Sequence, residues 1–356
     1  MADHDIGTDL QQQVEHAVNT KTLLNIAGGG SKSFLGVISN AKTLDVQHHE
    51  GVISYEPTEL VIKARAGTPL KTLTDMLSDN GQMLPFEPPA FGAEATIGGT
   101  VACALAGPAR PYLGGVRDYV LGCQVLNGRA QSLRFGGEVM KNVAGYDVSR
   151  LMTGAMGTLG VLLDVSVKVL PKAESEITLA QPLDASDAIE AMQALAGSGL
   201  PVTASAWIDG DMFTRLSSTE GAVNAAASKL PGDKIENPQL WTELKEQRLP
   251  FFSTDAPLWR ISTPALTPVM DIEGSWLYDW AGMQRWLKSD APASVIRSQC
   301  ESVGGHATLY RASETLRRET GVFHTPAAPL LKLQKRLKNE FDPAGIFNYQ
   351  RLFQEF

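Results

Sequence analysis

Cysteine is scarce in this chain: Cys103, Cys123 and Cys300 are the only three in 356 residues, and no two form a Cys-x-x-Cys pair. Such spacing builds neither a disulfide framework nor a cluster-binding motif, so no iron–sulfur centre is expected. The six histidines are scattered, with no pair at metal-ligand spacing on a helix, and the adjacent His48 and His49 would face opposite ways on a strand. No metal site is expected. No stretch approaches the roughly 18 apolar residues of a membrane span. The opening Met1-Ala2-Asp3-His4-Asp5 is acidic and has no apolar run behind it, unlike a secretory signal. These absences predict a cytoplasmic protein that reaches a membrane only through partners. Basic charge is also short. Lys and Arg number 31 against 39 Asp and Glu, and the net charge of −8 argues against a nucleic-acid surface. No G-x-x-x-x-G-K-[ST] is present, which excludes a P-loop.

What is present is a globular composition, 43% hydrophobic and 20% charged, in a chain long enough for two domains. Leu24 to Ala27 and Leu60 to Ala64 read as strands. Thr68 is placed as an N-cap and Pro69 as the first residue of a helix whose apolar face is Leu70, Leu73 and Leu77, with Gly81 just past its end. Val161, Leu163, Val165, Val167 and Val169 alternate with residues that include Asp164, Ser166 and Lys168, which predicts a strand with one buried face. Residues 174–182 read as a linker. Beyond it come a helix over 187–196, a strand over 202–208, a hairpin turn at Asp209-Gly210, a helix over 220–230 and a strand over 258–262. A last helix over 329–341 aligns Leu330, Leu333, Leu337 and Phe341 on one face. Lys332, Lys335, Arg336 and Lys338 fall mostly off it, as a solvated basic face or a docking surface.

The chemistry lies in the glycines. Ala27-Gly28-Gly29-Gly30-Ser31-Lys32 follows a short strand, Ala95-Thr96-Ile97-Gly98-Gly99-Thr100 follows a proline-broken loop, and Gly157-Thr158-Leu159-Gly160 precedes the alternating strand. Glycine lets backbone N–H groups approach an anion closely and permits positive φ. Gly28 to Ser31 therefore suits a pyrophosphate, with a plain loop as the alternative. Gly29→Val is expected to push a side chain into that site and abolish cofactor retention. Gly154-Ala155-Met156-Gly157 superficially suits a dinucleotide turn, but a strand follows it where a Rossmann unit has a helix. In this order the segments suggest a split domain for a flavin dinucleotide.

These segments, with Lys141-Asn142-Val143-Ala144-Gly145-Tyr146-Asp147 and the late Phe341-Asp342-Pro343-Ala344-Gly345-Ile346-Phe347-Asn348, resemble the vanillyl-alcohol-oxidase-type (PCMH) FAD domains. Ala64-Arg65-Ala66-Gly67-Thr68-Pro69-Leu70, Phe135-Gly136-Gly137-Glu138-Val139-Met140-Lys141-Asn142, Leu258-Trp259-Arg260-Ile261-Ser262 and Gly304-Gly305-His306-Ala307-Thr308 extend the likeness to the E-subunit family of bacterial glycolate oxidase. The resemblance implies an α+β fold: a PCMH-type two-subdomain FAD-binding domain over 1–175, a smaller α+β cap over 176–328, and a C-terminal helix and tail over 329–356 returning to the flavin. It implies FAD contacts at Gly28, Gly29, Gly30, Ser31, Lys32, Thr96, Gly98, Gly99, Gly145, Gly157, Thr158, Gly160, Val161 and Asn348. Members of that family work beside a larger FAD-binding D subunit and an iron–sulfur F subunit, oxidising glycolate to glyoxylate.

Two positions depart from the pattern. The first loop has Ser31-Lys32 where many relatives carry a flavin-linking histidine, so the FAD is expected to be non-covalent; Cys103 is a conceivable attachment point but reads first as a small buried residue. The tail reads Asn348-Tyr349-Gln350 where catalytic relatives have Asn-Pro-Gly. The histidine pair that holds a metal in catalytic relatives is also missing. Oxidising a small 2-hydroxy acid needs a cation for the carboxylate and a base for the hydroxyl proton. Arg260 and His306 are the candidates. The alternatives are an Arg260 that pairs with a carboxylate such as Asp279, and a His306 that only braces a turn. Three readings stay open: a redox-active glycolate oxidase subunit, an FAD-binding structural or electron-relay subunit, and a stand-alone D-2-hydroxyacid dehydrogenase of the D-lactate type.

Overall fold

A computed structural model describes residues 3–37, 39–137, 146–237 and 239–354. The chain divides into two compact units. Residues 1–105, 115–171 and 325–356 form the first, and 106–114 with 172–324 form the second.

In the first unit the strand Leu24–Ala27 pairs in parallel with Lys42–Asp45. A five-stranded antiparallel sheet runs in the order Val52–Glu56, Val61–Arg65, Val161–Lys168, Val120–Leu126, Ser132–Gly136. The alternating strand is its centre, and there the expectation of one buried face fails. Val161 and Val165 are fully buried, but Asp164 and Ser166 on the other side are only 5% and 3% exposed. Both faces of this strand are covered, and burial raises the Asp164 carboxyl above its ordinary range.

The helix Leu70–Asp79 forms as its spacing predicts, burying Leu70, Leu73 and Leu77. Each buried leucine contributes about 1.5–3 kcal/mol. Its cap differs from the reading. Pro69 is the last non-helical residue, and the Thr68 hydroxyl turns away to accept from Gly51 N and donate to Gly51 O. Gly81, just past the end, has φ +65°.

The second unit is built on an eight-stranded antiparallel sheet: Asp233–Ile235, Ser175–Pro182, Asp211–Ser218, Val202–Ile208, Ser275–Asp279, Gln284–Lys288, Leu258–Ser262, His306–Arg311. The expected linker at 174–182 is thus a strand, paired residue for residue with Asp211–Ser218. The Asp209-Gly210 hairpin forms with both residues at positive φ, 51° and 94°. The helix Ala185–Ala196 is capped by Asp184, and Trp259, Trp280 and Trp286 are all buried.

The last helix, Ala328–Phe341, departs most from its expected pattern. Leu330 and Leu333 are 49% and 52% exposed, and the one side chain buried in the helix is Lys338, at 3%. Among the described residues no helix is long and apolar enough to cross a membrane.

Candidate functional site

A cleft in the first unit is lined by eleven of the residues singled out from sequence: Gly28, Gly29, Gly30, Ser31, Lys32, Thr96, Gly98, Gly99, Gly157, Gly160 and Asn348. Segments more than 300 residues apart in sequence thus meet at one surface. Thr158 and Val161 lie behind it instead, 1% and 0% exposed. The Thr158 hydroxyl donates to Ala155 O at 2.7 Å, bracing the wall loop from inside. Gly145, with the whole of 138–145, lies outside the described residues.

The two glycine walls do different work. In the first loop the backbone N–H groups of Gly28, Gly29, Gly30 and Ser31 donate to no acceptor among the described residues. Four successive uncommitted donors on a cleft are what a pyrophosphate requires, since each hydrogen bond to a charged oxygen contributes about 1.5–3 kcal/mol. The second wall is already committed. Thr96 Oγ1 caps the helix Ile97–Cys103 by accepting from Gly99 N at 3.1 Å, and Gly98 N donates to Ala66 O at 2.8 Å. Gly98 serves by smallness: a Cβ there would meet the Ala66 Cβ at 2.6 Å.

The same steric measure corrects the expectation for Gly29. A Cβ on Gly29 would stand 1.4 Å from the Glu94 carbonyl oxygen, so a side chain there strikes the loop's own support and not the ligand site. Gly30 is the position with open space. A Cβ there meets nothing within 4 Å, and its φ is +69°.

The tail reaches the cleft despite its altered sequence. Asn348 Oδ1 accepts from Ile26 N at 2.7 Å, and its Nδ2 donates to Met156 O at 2.6 Å, bridging the first strand to the wall loop. Gly157, at φ +72°, leaves room for that amide, because a Cβ would meet Asn348 Nδ2 at 2.6 Å. Gln350 takes a left-handed φ of +59° where the family pattern has glycine. Lys338 ties these parts from beneath. Its ammonium donates to Thr158 O, Phe347 O and Asp342 Oδ2 at 2.7, 2.8 and 2.6 Å. Burial pulls its pKa down, opposed by the Asp342 carboxylate.

Sequence reasoning missed Met152, Met156 and Arg351, which line the cleft together with Cys103, the conceivable attachment point. No local motif marks them. Lys32 and Arg351 supply positive charge, with Lys32 Nζ 3.4 Å from both Ser31 Oγ and Ala90 O. Burial pushes the Cys103 thiol up, although Lys32 and Arg351 pull the other way, which leaves it a poor nucleophile.

Arg260 and His306 belong to the second unit, on neighbouring strands where Ser262 pairs with His306. Arg260 Nε donates to Gln284 Oε1 at 2.6 Å, and Gln284 Nε2 donates to Asp279 Oδ2 at 3.1 Å. The expected Arg260–Asp279 pairing is therefore relayed through an amide. His306 is exposed, and desolvation, then the charges of Arg260 and His324, hold its pKa below the usual value. His324 is occupied with Ala307 N and Glu301. Among the described residues no group of three or more His, Cys, Asp or Glu is placed to hold a metal ion.

The FAD binding domain family matches residues 7–136. Glycolate oxidase subunit GlcE of Escherichia coli (strain K12) is 46% identical over 351 residues, covering 99% of this chain and 98% of the relative. Glycolate oxidase subunit GlcD of Bacillus subtilis (strain 168) is 30% identical over 155 residues, 44% of this chain and 32% of that protein. A D-lactate dehydrogenase of Anaerostipes hadrus is 31% identical over 134 residues, 37% of this chain and 28% of that protein. A solved alkyldihydroxyacetonephosphate synthase superposes with a TM-score of 0.68 at 14% identity, over 97% of this chain and 75% of that one, a likeness of fold.

Proposed function

The chain belongs to the glycolate oxidase subunit GlcE family of FAD-linked oxidoreductases, and from that premise we propose that it is the FAD-binding subunit of a multi-subunit enzyme oxidising glycolate to glyoxylate. The observation that carries the reading is the 46% identity to GlcE over nearly the full length of both chains. An iron–sulfur partner subunit takes the electrons, because this chain has no cysteine pattern to hold a cluster. A larger FAD-binding D subunit completes the complex.

FAD, when bound, supplies a two-electron acceptor for the hydrogen on C2 of the substrate. The rest of the work falls to the chain. Backbone N–H groups of Gly28 to Ser31 bind the pyrophosphate, and Lys32 and Arg351 offset its two negative charges. Asn348 and the Gly157 turn fix the width of the cleft. Cofactor binding is non-covalent, a reading supported by the missing histidine in the first loop and by the protonated Cys103 thiol. Arg260 holds the substrate carboxylate through its terminal nitrogens, and a ring nitrogen of His306, neutral at pH 7, accepts the hydroxyl proton.

A second reading is favoured by one observation: among the described residues no group of three or more metal-ligating side chains includes His306, and His324 pairs with Glu301. In that reading the chain relays electrons or braces the complex while the D subunit oxidises the substrate. The anaerobic visible spectrum of the purified chain separates the two. Flavin bands that bleach on adding glycolate support direct oxidation. Bands that stay favour the relay. Absence of flavin bands even after adding FAD would overturn both.

A further inference from the structure

The second unit carries a pair of arginines, Arg110 and Arg260, on one tryptophan. Trp280 is 5% exposed and held at both ends: its Nε1 donates to Gly107 O at 2.9 Å, and its backbone N donates to Asp279 Oδ1 at 2.7 Å. The guanidinium of Arg110 lies 4.4 Å from the centre of the indole, and that of Arg260 lies 5.1 Å from it. Either contact alone is an ordinary cation–π pair. Two on one ring bring like charges together, and the charge of Arg110 works against that of Arg260.

The hydrogen bonding of Arg260 is one-sided. Its Nε edge is pinned to Gln284, and Gln284 is pinned to Asp279. Its two terminal nitrogens donate to nothing among the described residues, and no carboxylate there lies within ion-pair distance of it. A guanidinium fixed through Nε and open at both Nη atoms is set to hold a carboxylate in the two-pronged manner. Arg110 sits differently. It is exposed, on the turn Arg110–Leu113, while Arg260 is partly buried on its strand.

We propose that Arg110 is the outer cation of a two-arginine carboxylate site on Trp280, drawing small 2-hydroxy acid anions toward Arg260, which holds them. The inference rests on the glycolate reading above and deepens it by naming the residue that sets the approach of the anion. Exposed charge at the rim of a site acts on the association rate and is screened by salt, while the buried, hydrogen-bonded charge acts on residence.

The test is calorimetric titration of the purified FAD-loaded chain with oxalate, an unreactive carboxylate, at low and high salt. Arg110→Gln is expected to weaken binding about tenfold at low salt and to flatten the salt dependence, and Arg110→Lys to restore most of both. Arg260→Gln is expected to abolish measurable binding. In a glycolate oxidation assay Arg110→Gln raises KM and leaves kcat nearly unchanged. Arg110→Gln with wild-type oxalate affinity and salt dependence would overturn the inference, leaving Arg110 as a packing partner of Trp280. Wild-type chain that binds no oxalate would overturn the site altogether. Oxalate binding that depends on Arg110, in a chain whose flavin glycolate does not bleach, keeps the site and rejects direct oxidation.

Discussion

Substituting alanine at Gly29 and at Gly30 separates two roles that neighbouring glycines play in one loop. At Gly29 the new Cβ would stand 1.4 Å from the Glu94 carbonyl oxygen, where an ordinary contact exceeds 3 Å. Backbone has to move by an ångström or more, and overpacking of this kind costs about 1–3 kcal/mol, occasionally more. The displaced segment is the one that carries the four uncommitted N–H groups. Losing two hydrogen bonds to phosphate at about 1.5 kcal/mol each weakens FAD binding roughly a hundredfold. At Gly30 the Cβ meets nothing, and the cost is that of holding alanine at φ +69°, about 1–2 kcal/mol. The assay is urea unfolding of the flavin-free protein beside FAD titration of each variant. Gly29→Ala is expected to lose more stability without cofactor and about a hundredfold in affinity. Gly30→Ala is expected to lose the smaller increment of stability and less affinity. Equal stability losses in the two flavin-free variants would refute the assignment of Gly29 to the loop's support.

Two further outcomes follow from buried and shifted groups. Lys338→Met leaves the Asp342 carboxylate, 1% exposed, without its cation, which costs about 3–5 kcal/mol. Lys338→Met/Asp342→Asn should recover much of that in urea unfolding, and a double variant no more stable than the single would sink the account of the clamp. His306 has its pKa held below the ordinary 6.5, so as a base it loses activity only when protonated. The acid limb of kcat/KM is therefore expected below pH 6.5 and should vanish in His306→Asn; a limb above pH 7 would remove His306 from that role.

Features written in a few adjacent residues are legible in the amino-acid sequence. The helix Leu70–Asp79 follows from leucine spacing and a terminal glycine, and the hairpin at Asp209-Gly210 from two residues that tolerate positive φ. The glycine segments read as parts of one site from their order and composition, and eleven of the fourteen expected cofactor residues line the cleft, although Gly29, Gly98 and Gly157 make room there for neighbouring protein atoms. Departures arise where a distant partner outweighs local pattern. Residues 175–182 have the texture of a linker and become a strand because Asp211–Ser218 offers a full ladder of partners.

Charge is the least legible property. Lys338 stands on a helix whose other lysines meet water, yet it is buried because Thr158, Asp342 and Phe347 present three acceptors to it. One of those lies 180 positions away in the chain. Sequence alone determined which segments are free of side chains at close approach and which turns can form, since both depend on the conformational reach of single residues. Tertiary structure decided which way each glycine faces, which strand is central and which lysine is buried. Those depend on what distant backbone brings within about 3 Å, the range over which a hydrogen bond or a steric clash acts.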